Sequence, residues 1–274
     1  MVRLGYNSNG FPHHRLDQAL EWLAELGYQA VAITPDVPHL DPANTGDDEV
    51  ARIGALCRKL GLQPVLETGA RFVLDPRRKH RPNLLETSAS ERAVRQDHLR
   101  RMLDWAAALG APALSLWSGA LPAGQDPERA DALLGAALQD LAEHGAAAGV
   151  TVALEPEPGH HVATLADFDR LQERFGNAWR LCLDVGHLLD AGEAPPHQVV
   201  AERAAQIAVL QLDDMRRGVH DHLAPGEGDL DWPALARAVR GQVLDVPACF
   251  ELSRDGHRFH QLAPAAIRFW RSLA

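Results

Sequence analysis

The chain has 274 residues and a formal net charge of −10, and 46% of its residues are hydrophobic while 23% are charged. This composition is typical of a globular protein, and since no apolar stretch reaches the length of a membrane span, we expect no membrane partner. The acidic charge argues against a nucleic-acid partner, because the phosphate backbone requires a basic surface.

Short apolar runs alternate with longer stretches of helical spacing along the whole chain, which predicts strands that alternate with helices. The predicted strands are residues 2–8, 29–35, 63–69, 112–119, 150–158, 179–187, 206–215 and 246–253. The predicted helices are residues 15–27, 47–61, 96–110, 132–149, 165–176, 195–205, 232–242 and 263–273. The first two of these helices end at glycines, Gly27 and Gly61, as expected at a helix C-terminus.

Eight strand-then-helix units predict parallel strands that close into a (β/α)₈ TIM barrel, an α/β fold, as a single domain over residues 1–274. A doubly wound open sheet is the alternative, but the first strand lacks the GxGxxG turn that often follows it in that fold. Two insertions, near residues 72–90 and 216–231, follow the third and seventh predicted strands. Both lie where barrel enzymes have their active sites, so we expect lids or substrate contacts there.

Four successive predicted strands close on a side chain that offers an oxygen, namely Glu155, Asp184, Gln211 and Glu251. The residue two positions before each of them is of modest size, and it shares a face with the polar residue because side chains alternate along a strand. If this face points inward, the four oxygens converge at the barrel mouth. A single acid at a strand end can equally be a helix cap or a surface charge. Side-chain oxygens at the ends of four successive strands, however, indicate a site.

Three carboxylates this close repel one another unless a cation neutralises them. A set of three carboxylates and one amide carbonyl favours Mn²⁺ or Mg²⁺, with Zn²⁺ or Co²⁺ as further candidates. The sequence therefore predicts a metal site with Glu155, Asp184, Gln211 and Glu251 as its ligands.

The motifs LEPEPG, LDVGH, LQLDD, GEGDLDW and FELS resemble those of the xylose isomerase-like, or sugar phosphate isomerase/epimerase, barrel superfamily. The resemblance covers essentially the whole chain and implies the same four metal ligands. It also implies substrate contacts by His187 and Arg217. Gln211 replaces the histidine of ketose epimerases and is similar to the glutamine of hydroxypyruvate isomerase and the dehydroshikimate dehydratases. Clear counterparts of the early histidine ligands of the barrel-type apurinic endonuclease are lacking, which argues against DNA repair.

The resemblance implies a metal-dependent isomerase or epimerase that acts on a sugar, ketose, cyclitol or related polyhydroxylated carbonyl compound. In that chemistry Glu155 and Glu251 move a proton beside a carbonyl, through a metal-stabilised enediolate. One alternative is a dehydratase of the 3-dehydroshikimate or inosose type, which is a lyase. The other is a non-catalytic barrel that binds a metal and a ligand.

Further side chains are candidates for substrate binding beside His187 and Arg217. Glu157 can hold a hydroxyl or be a solvated carboxylate, and His220 and His222 can line the pocket from the second insertion. The basic run at residues 77–81 can capture a phosphate or carboxylate, or be a solvated loop. Members of the superfamily are often dimers or tetramers, so a homo-oligomer is compatible with the resemblance.

The N-terminus and the cysteines bear on the compartment. The first residues lack the layout of a signal peptide, and the three cysteines have no CxxC spacing. We therefore expect a protein of the reducing cytoplasm.

Overall fold

The apolar runs form a closed barrel of eight parallel strands in the computed structural model, which describes residues 2–242 and 245–273. Residues 1, 243, 244 and 274 of the predicted domain lie outside the described residues. The barrel strands are β1 (Arg3–Asn7), β2 (Ala30–Ile33), β3 (Gln63–Glu67), β4 (Ala113–Trp117), β5 (Thr151–Glu155), β6 (Arg180–Asp184), β7 (Ile207–Leu212) and β10 (Pro247–Phe250). A separate antiparallel hairpin consists of β8 (Asp214–Arg216) and β9 (Val219–Leu223). The prediction of a TIM barrel is confirmed, and the open sheet is excluded.

Helices follow the barrel strands, as parallel strand connections require. They are α1 (Leu16–Leu26), α2 (Asp47–Leu60), α3 (Ala89–Leu109), α4 (Pro127–Ala148), α5 (Leu165–Phe175), α6 (Val185–Asp190), α7 (Pro196–Arg203), α8 (Trp232–Gly241) and α9 (Phe259–Ser272). Short 3₁₀ turns occupy Ser8–Gly10 and Gly256–Arg258. Helices α1 and α2 end at Gly27 and Gly61 in the left-handed conformation, with φ of 90° and 70°. Within the described residues, every helix is too short or too polar to cross a membrane.

The hydrophobic core has two layers, one between the strands and the helices and one inside the barrel. The inner layer consists of small or medium side chains: Ala30, Ala32, Val65, Ala113, Ala153, Cys182, Val209 and Cys249. Gly5 belongs to the same crowded interior, since a Cβ there would come within 2.8 Å of the Ala30 backbone. This packed layer is the floor on which the polar side chains at the strand ends stand.

The order of strands around the barrel brings β5, β6, β7 and β10 side by side. In the register of these strands, Gln211 lies beside Asp184 on one side and beside Cys249 on the other. The polar side chains that close these four strands therefore face one sector of the barrel mouth.

Two elements at this face differ from the sequence expectations. Helix α6 begins directly after β6, where we expected only the continuation of a strand. The second insertion contains the β8–β9 hairpin rather than an open loop. The first insertion has neither helix nor strand from residue 72 to residue 88.

Candidate active site

A cavity of about 470 Å³ opens at the carboxyl ends of the barrel strands. The acidic and histidine side chains that line it come from several different strands and loops. They include Glu67, Glu155, Glu157, Glu251, His187 and His220. Two other residues expected at the site, Asp184 and Gln211, lie beneath its surface and are 2% exposed each.

Asp184 is both the last residue of β6 and the N-cap of α6. Its Oδ1 accepts hydrogen bonds from the backbone N–H groups of Gly186, at 2.7 Å, and His187, at 3.1 Å. Its Oδ2 lies 3.8 Å from His187 Nε2. The turn requires a glycine at position 186, because a Cβ there would collide with the Asp213 carboxylate. The N-terminus of α6 therefore places the Asp184 carboxylate and the His187 imidazole ring next to each other.

Glu155, Asp184 and Glu251 bring carboxylate oxygens within 4.8 Å of one another, and we call them the carboxylate cluster. Glu155 and Asp184 are buried, and Glu251 is partly buried. Glu251 Oε1 accepts a hydrogen bond of 2.8 Å from Asn9 Nδ2, which fixes one end of its carboxylate.

The Gln211 amide lies among these three carboxylates. Its nitrogen is 3.5 Å from Glu155 Oε2, and its oxygen faces acceptors on Asp184 and Glu251. Turned by 180°, the amide would instead donate to those two carboxylates, with 3.3 Å to Asp184 Oδ2. If a cation lies among these carboxylates, the Gln211 amide is favoured with its oxygen towards them. If no cation is bound, the amide is favoured with its nitrogen towards them.

Burial and mutual repulsion disturb the ionisation of the carboxylate cluster. Burial raises the pKa of Glu155 well above its ordinary value, and neighbouring carboxylates add to the rise. Burial likewise raises the pKa of Glu251, to about 7. Burial opposes ionisation of Asp184 as well, but nearby histidine rings outweigh it and its pKa is lowered. The three groups can all be ionised at neutral pH only beside a compensating positive charge.

Three histidines stand against the carboxylate cluster, and we call His187, His220 and His222 the histidine cluster. Burial lowers the pKa of His220 to about 4, helped by the two neighbouring rings. Burial also lowers the pKa of His187. Burial opposes a charge on His222, but the Asp213 carboxylate, 2.6 Å from its Nδ1, outweighs this and raises the His222 pKa to about 10. The surroundings of His222 therefore favour a positive charge.

The cavity also contains polar residues that the sequence reasoning missed. Thr34 Oγ1 donates a hydrogen bond to Glu67 Oε2, and Asn9 holds Glu251 as described. Glu67 is 8% exposed, and burial raises its pKa. A signal for Glu67 was present, because it ends the third strand in VLET much as Glu155 ends the fifth in ALEP.

An aromatic wall faces these polar groups. Trp117 packs against His80 and His160, with ring centroids 4.9 Å and 5.6 Å away. All three side chains line the cavity, so part of its surface is suited to the apolar face of a ligand.

The two basic features of the sequence, Arg217 and the run at residues 77–81, lie in different surroundings. Arg217 is exposed in the turn of the β8–β9 hairpin and is not among the residues that line the cavity. In the run at residues 77–81, Arg78 pairs with acids at 2.6 and 2.7 Å, and Arg81 pairs with Glu86 at 2.9 Å. Lys79 and His80 are the members of this run that line the cavity.

The donor set fits a divalent cation. Its three carboxylates lie within reach of one ion, and the Gln211 amide can add a fourth oxygen when it is turned with its oxygen towards them. Hard cations such as Mn²⁺ and Mg²⁺ favour oxygen donors, and a positive charge would relieve the repulsion that raises the carboxyl pKa values.

Comparison with known proteins places this geometry in context. The family described as the xylose isomerase-like TIM barrel matches residues 20–273. No curated protein sequence matches the chain. Among solved structures, the apo form of 3-keto-D-glucoside 4-epimerase from E. coli is similar over 99% of this chain and 100% of its own, at 16% identity and a TM-score of 0.79.

Two ketose epimerases are similar to the same extent. A D-psicose 3-epimerase, solved in the presence of D-fructose, matches 99% of each chain at 17% identity, with a TM-score of 0.77. A D-allulose 3-epimerase from Methylomonas sp., in complex with D-allulose, matches 100% of this chain and 97% of its own at 18% identity, with a TM-score of 0.74. At these identities the likeness extends to the fold alone.

Proposed function

The chain belongs to the xylose isomerase-like TIM barrel family, and from this premise we propose that it is a divalent-metal-dependent isomerase or epimerase of a sugar, ketose, cyclitol or related polyhydroxylated carbonyl compound. The observation that carries the proposal is the carboxylate cluster, with oxygens within 4.8 Å of one another beside a polar cavity. The similar epimerase structures support the same class of reaction.

The four strand-end residues would hold the cation, with Glu155, Asp184 and Glu251 as carboxylate ligands and Gln211 through its amide oxygen. Mn²⁺ or Mg²⁺ suits this oxygen set. When bound, such a cation supplies positive charge that stabilises the oxygen of a substrate carbonyl while the adjacent C–H bond loses its proton.

Glu155 and Glu251 are the proposed proton carriers. They lie on β5 and directly after β10, two strands separated by β6 and β7, so they can approach a substrate from different sides. One carboxylate takes the proton from the carbon beside the carbonyl and leaves an enediolate. The other returns a proton, to the opposite face of the same carbon in epimerisation or to the neighbouring carbon in isomerisation.

Neighbouring polar groups would orient the hydroxyls of the substrate. Glu67 and Asn9 reach the cavity from one side, and Glu157 and His187 from the other. His187 Nε2 is buried without a hydrogen-bond partner, so it is free to bind a ligand atom. Groups held in place before the substrate arrives lower the entropy cost of the reaction.

A dehydratase is the second candidate, and Gln211 favours it. The chain resembles the dehydroshikimate dehydratases in having glutamine at this position, whereas the ketose epimerases have histidine there. The same proton removal, followed by departure of a hydroxyl from the next carbon, would release water and leave a double bond.

Deuterium uptake tests the proposal. The protein is loaded with Mn²⁺ and incubated in D₂O with ketoses, inososes and dehydroshikimate, and the products are analysed by mass spectrometry and NMR. We expect one substrate to acquire deuterium at the carbon beside its carbonyl without loss of water. Loss of water would establish the dehydratase instead. No exchange and no elimination with any compound of these classes would overturn the proposal.

A further inference from the structure

Two basic side chains line the cavity on the side away from the carboxylate cluster. They are Arg71 and Lys79, and both belong to residues 68–88, between β3 and α3, which we call the β3–α3 loop. In the closed barrel β3 lies four strands from β7 in either direction, and therefore across the mouth from Gln211. One molecule in the cavity can thus contact the carboxylate cluster at one end and these two cations at the other.

The base of the β3–α3 loop fixes the positions of Arg71 and Lys79. The His80 backbone N–H donates a hydrogen bond of 2.6 Å to the Arg71 carbonyl oxygen, and His80 Nδ1 lies 2.9 Å from the Gly69 carbonyl oxygen. Ala70 and His80, which adjoin the two cations in the chain, have positive φ values of 45° and 60°. This conformation is unfavourable for residues other than glycine, and it is found at functional sites where the surrounding structure enforces it. The backbone therefore holds the two cations close together at the cavity.

Neither of the two cations has an acidic partner. Within the described residues, the side chains of Arg71 and Lys79 form no ion pair and no hydrogen bond. Two other arginines of the β3–α3 loop pair with acids, as described above. Arg254, which also lines the cavity, lies 3.3 Å from Asp221 Oδ1. Arg71 and Lys79 are therefore the lining cations that are available to an anionic ligand.

A third cation, Arg95, is buried behind this side of the cavity. It is 2% exposed, and its Nη2 donates a hydrogen bond of 2.8 Å to the Thr68 carbonyl oxygen, while Nε and Nη1 have no partner within the described residues. Its guanidinium lies 5.8 Å from the centre of the Trp117 ring. Burial lowers the pKa of His80 to about 4 and that of His160 to about 3, and the Arg95 charge adds to both shifts. The aromatic wall is thus at a positive potential, which favours an anion beside it.

Glu67 also faces this side of the cavity, but the cations exceed its charge. Burial raises the pKa of Glu67, while the hydrogen bond from Thr34 and the charge of Arg71 oppose the rise. The Asp36 carboxylate is close enough to add to the rise. Even with both acids ionised, the three cations leave an excess of positive charge. A ligand group with one negative charge would balance it.

We propose that Arg71 and Lys79 bind a carboxylate of the substrate, which is then a polyhydroxylated carbonyl compound with an acidic end instead of a neutral sugar. The inference rests on the proposed function and narrows its substrate class. The Arg71 guanidinium matches a carboxylate with two parallel N–H donors, and the Lys79 ammonium adds a further donor.

A carboxylate fits this place better than a phosphate does. The Glu67 and Asp36 carboxylates repel a second negative charge on the ligand. Phosphates commonly bind backbone N–H groups at a helix N-terminus, and no helix begins in the β3–α3 loop, all of which the structure describes. The site is therefore expected to select one charge and planar geometry.

Three ketoses that differ at a single carbon test the proposal. D-Fructose, D-fructuronate and D-fructose 6-phosphate carry a hydroxyl, a carboxylate and a phosphate at the same end of the molecule. Their dissociation constants are measured by isothermal titration calorimetry on the full chain loaded with Mg²⁺, and the D-tagatose series, epimeric at one carbon, is measured in parallel. In at least one series, we expect the carboxylate compound to bind about 10-fold or more tightly than the other two, as charge-assisted hydrogen bonds allow.

Variants of the two cations assign the preference to the proposed site. Lys79→Gln and Arg71→Gln should each weaken binding of the carboxylate compound about 10-fold and leave binding of the neutral ketose unchanged. Arg71→Lys keeps the charge and should retain part of the preference. Arg77→Gln is the matched control, because it removes an exposed charge of the same loop outside the cavity lining, and it should keep the full preference. Circular dichroism checks folding, and the exposed Lys79 carries the test if Arg71→Gln does not fold.

The outcomes distinguish this inference from the proposed function. Equal affinity within both series, absence of binding included, would overturn the carboxylate site, and so would tighter binding of the phosphate compound. A carboxylate preference that persists in both Lys79→Gln and Arg71→Gln would also overturn it, since the carboxylate would then be bound elsewhere. Deuterium exchange in neutral ketoses alone would overturn it and leave the proposed function intact. A carboxylate preference that both variants lose, without deuterium exchange in any compound, would support the site and contradict the proposed reaction.

Discussion

Glu251 illustrates how a single residue is prepared for proton transfer. It follows the last residue of β10, and Asn9 holds its Oε1 at 2.8 Å, so its carboxylate has a defined orientation towards the cavity. Burial raises its pKa to about 7 in the metal-free protein, and a bound cation would lower the pKa again by favouring the ionised form. Beside the cation Glu251 would therefore be an ionised carboxylate, able to accept a proton as a general base.

We predict that Glu251→Gln folds and loses turnover. The amide keeps an oxygen and the size of the side chain, but it cannot accept the substrate proton, so turnover should fall by about 10²–10⁴-fold. The rate is measured on the substrate identified by deuterium uptake, and folding is followed by circular dichroism. Glu227→Gln is the control, because it makes the same change outside the cavity and should leave turnover unchanged. Turnover of Glu251→Gln at the wild-type rate would contradict the assigned role.

At the scale of elements, the segment from β8 to α8 is organised by one buried acid. Asp214 Oδ2 accepts hydrogen bonds from the Gly226 backbone N–H, at 2.8 Å, and Trp232 Nε1, at 2.9 Å. Its Oδ1 accepts one from the Leu230 backbone N–H, at 3.0 Å. The side chain is fully buried and therefore ties the loop after the hairpin to the first turn of α8.

We predict that Asp214→Asn destabilises this loop. The amide nitrogen would face an N–H group, so at least one buried donor loses its partner, at a cost of about 2 kcal/mol in the free energy of unfolding. Urea unfolding measures the cost, and hydrogen exchange should be faster in residues 224–231. Asp229→Asn, which changes an exposed acid of the same loop, should alter the free energy by less than about 0.5 kcal/mol. An unchanged free energy of unfolding for Asp214→Asn would contradict this account.

The elements also explain what could be predicted from the sequence. The barrel follows from apolar runs and from terminal glycines such as Gly27, which are local signals. Once the strands are parallel, the topology alone carries Glu155 and Asp184 to the same end of the barrel. Asn9 could not be predicted in this way, because it lies after the first predicted strand, in a turn without periodicity to indicate where its side chain points. Thr34 lies within the second predicted strand, but a single threonine near a strand end is not by itself a signal of a site.

The hairpin was missed for a related reason. The run VHDHL in β9 alternates between histidine and other residues rather than between apolar and polar ones. A polar run of this kind reads as a loop, since strands are recognised from the alternation of apolar side chains. Its antiparallel pairing with β8 is a contact between two strands, which the pattern of β9 alone does not indicate.

At the scale of the whole molecule, several groups at the barrel mouth bind a proton more tightly in the folded protein than in the unfolded chain. The pKa of Glu157 is raised to about 8 and that of Glu251 to about 7, mainly by burial, and carboxylates raise the pKa of His222 to about 10. In the unfolded chain these carboxyl groups ionise near pH 4.3 and the imidazole near pH 6.5. Between pH 7 and 8 the metal-free folded state therefore binds more protons than the unfolded state does.

The direction of the pH dependence follows from this difference. A state that binds more protons is stabilised by acid, so the metal-free protein should lose stability as the pH rises from 7 to 8. Each group that is protonated only in the folded state contributes up to about 1.4 kcal/mol per pH unit. Histidines with lowered pKa values, such as His220, oppose the trend only slightly, because their rings are neutral in the fold and only a minor fraction of unfolded imidazoles is still protonated above pH 7.

We predict that the metal-free protein is less stable at pH 8 than at pH 7, by more than about 1.4 kcal/mol, and that Mn²⁺ stabilises it more at pH 8. The larger effect at high pH is expected because the cation competes with protons for the same carboxylates. Urea unfolding at both pH values, with chelator or with Mn²⁺, measures the four free energies. Glu157→Gln removes one of the titrating groups and should reduce the pH dependence by up to about 1.4 kcal/mol per unit. Stability that is constant or rises between pH 7 and 8 without metal would contradict the view that protons neutralise the barrel mouth when no cation is bound.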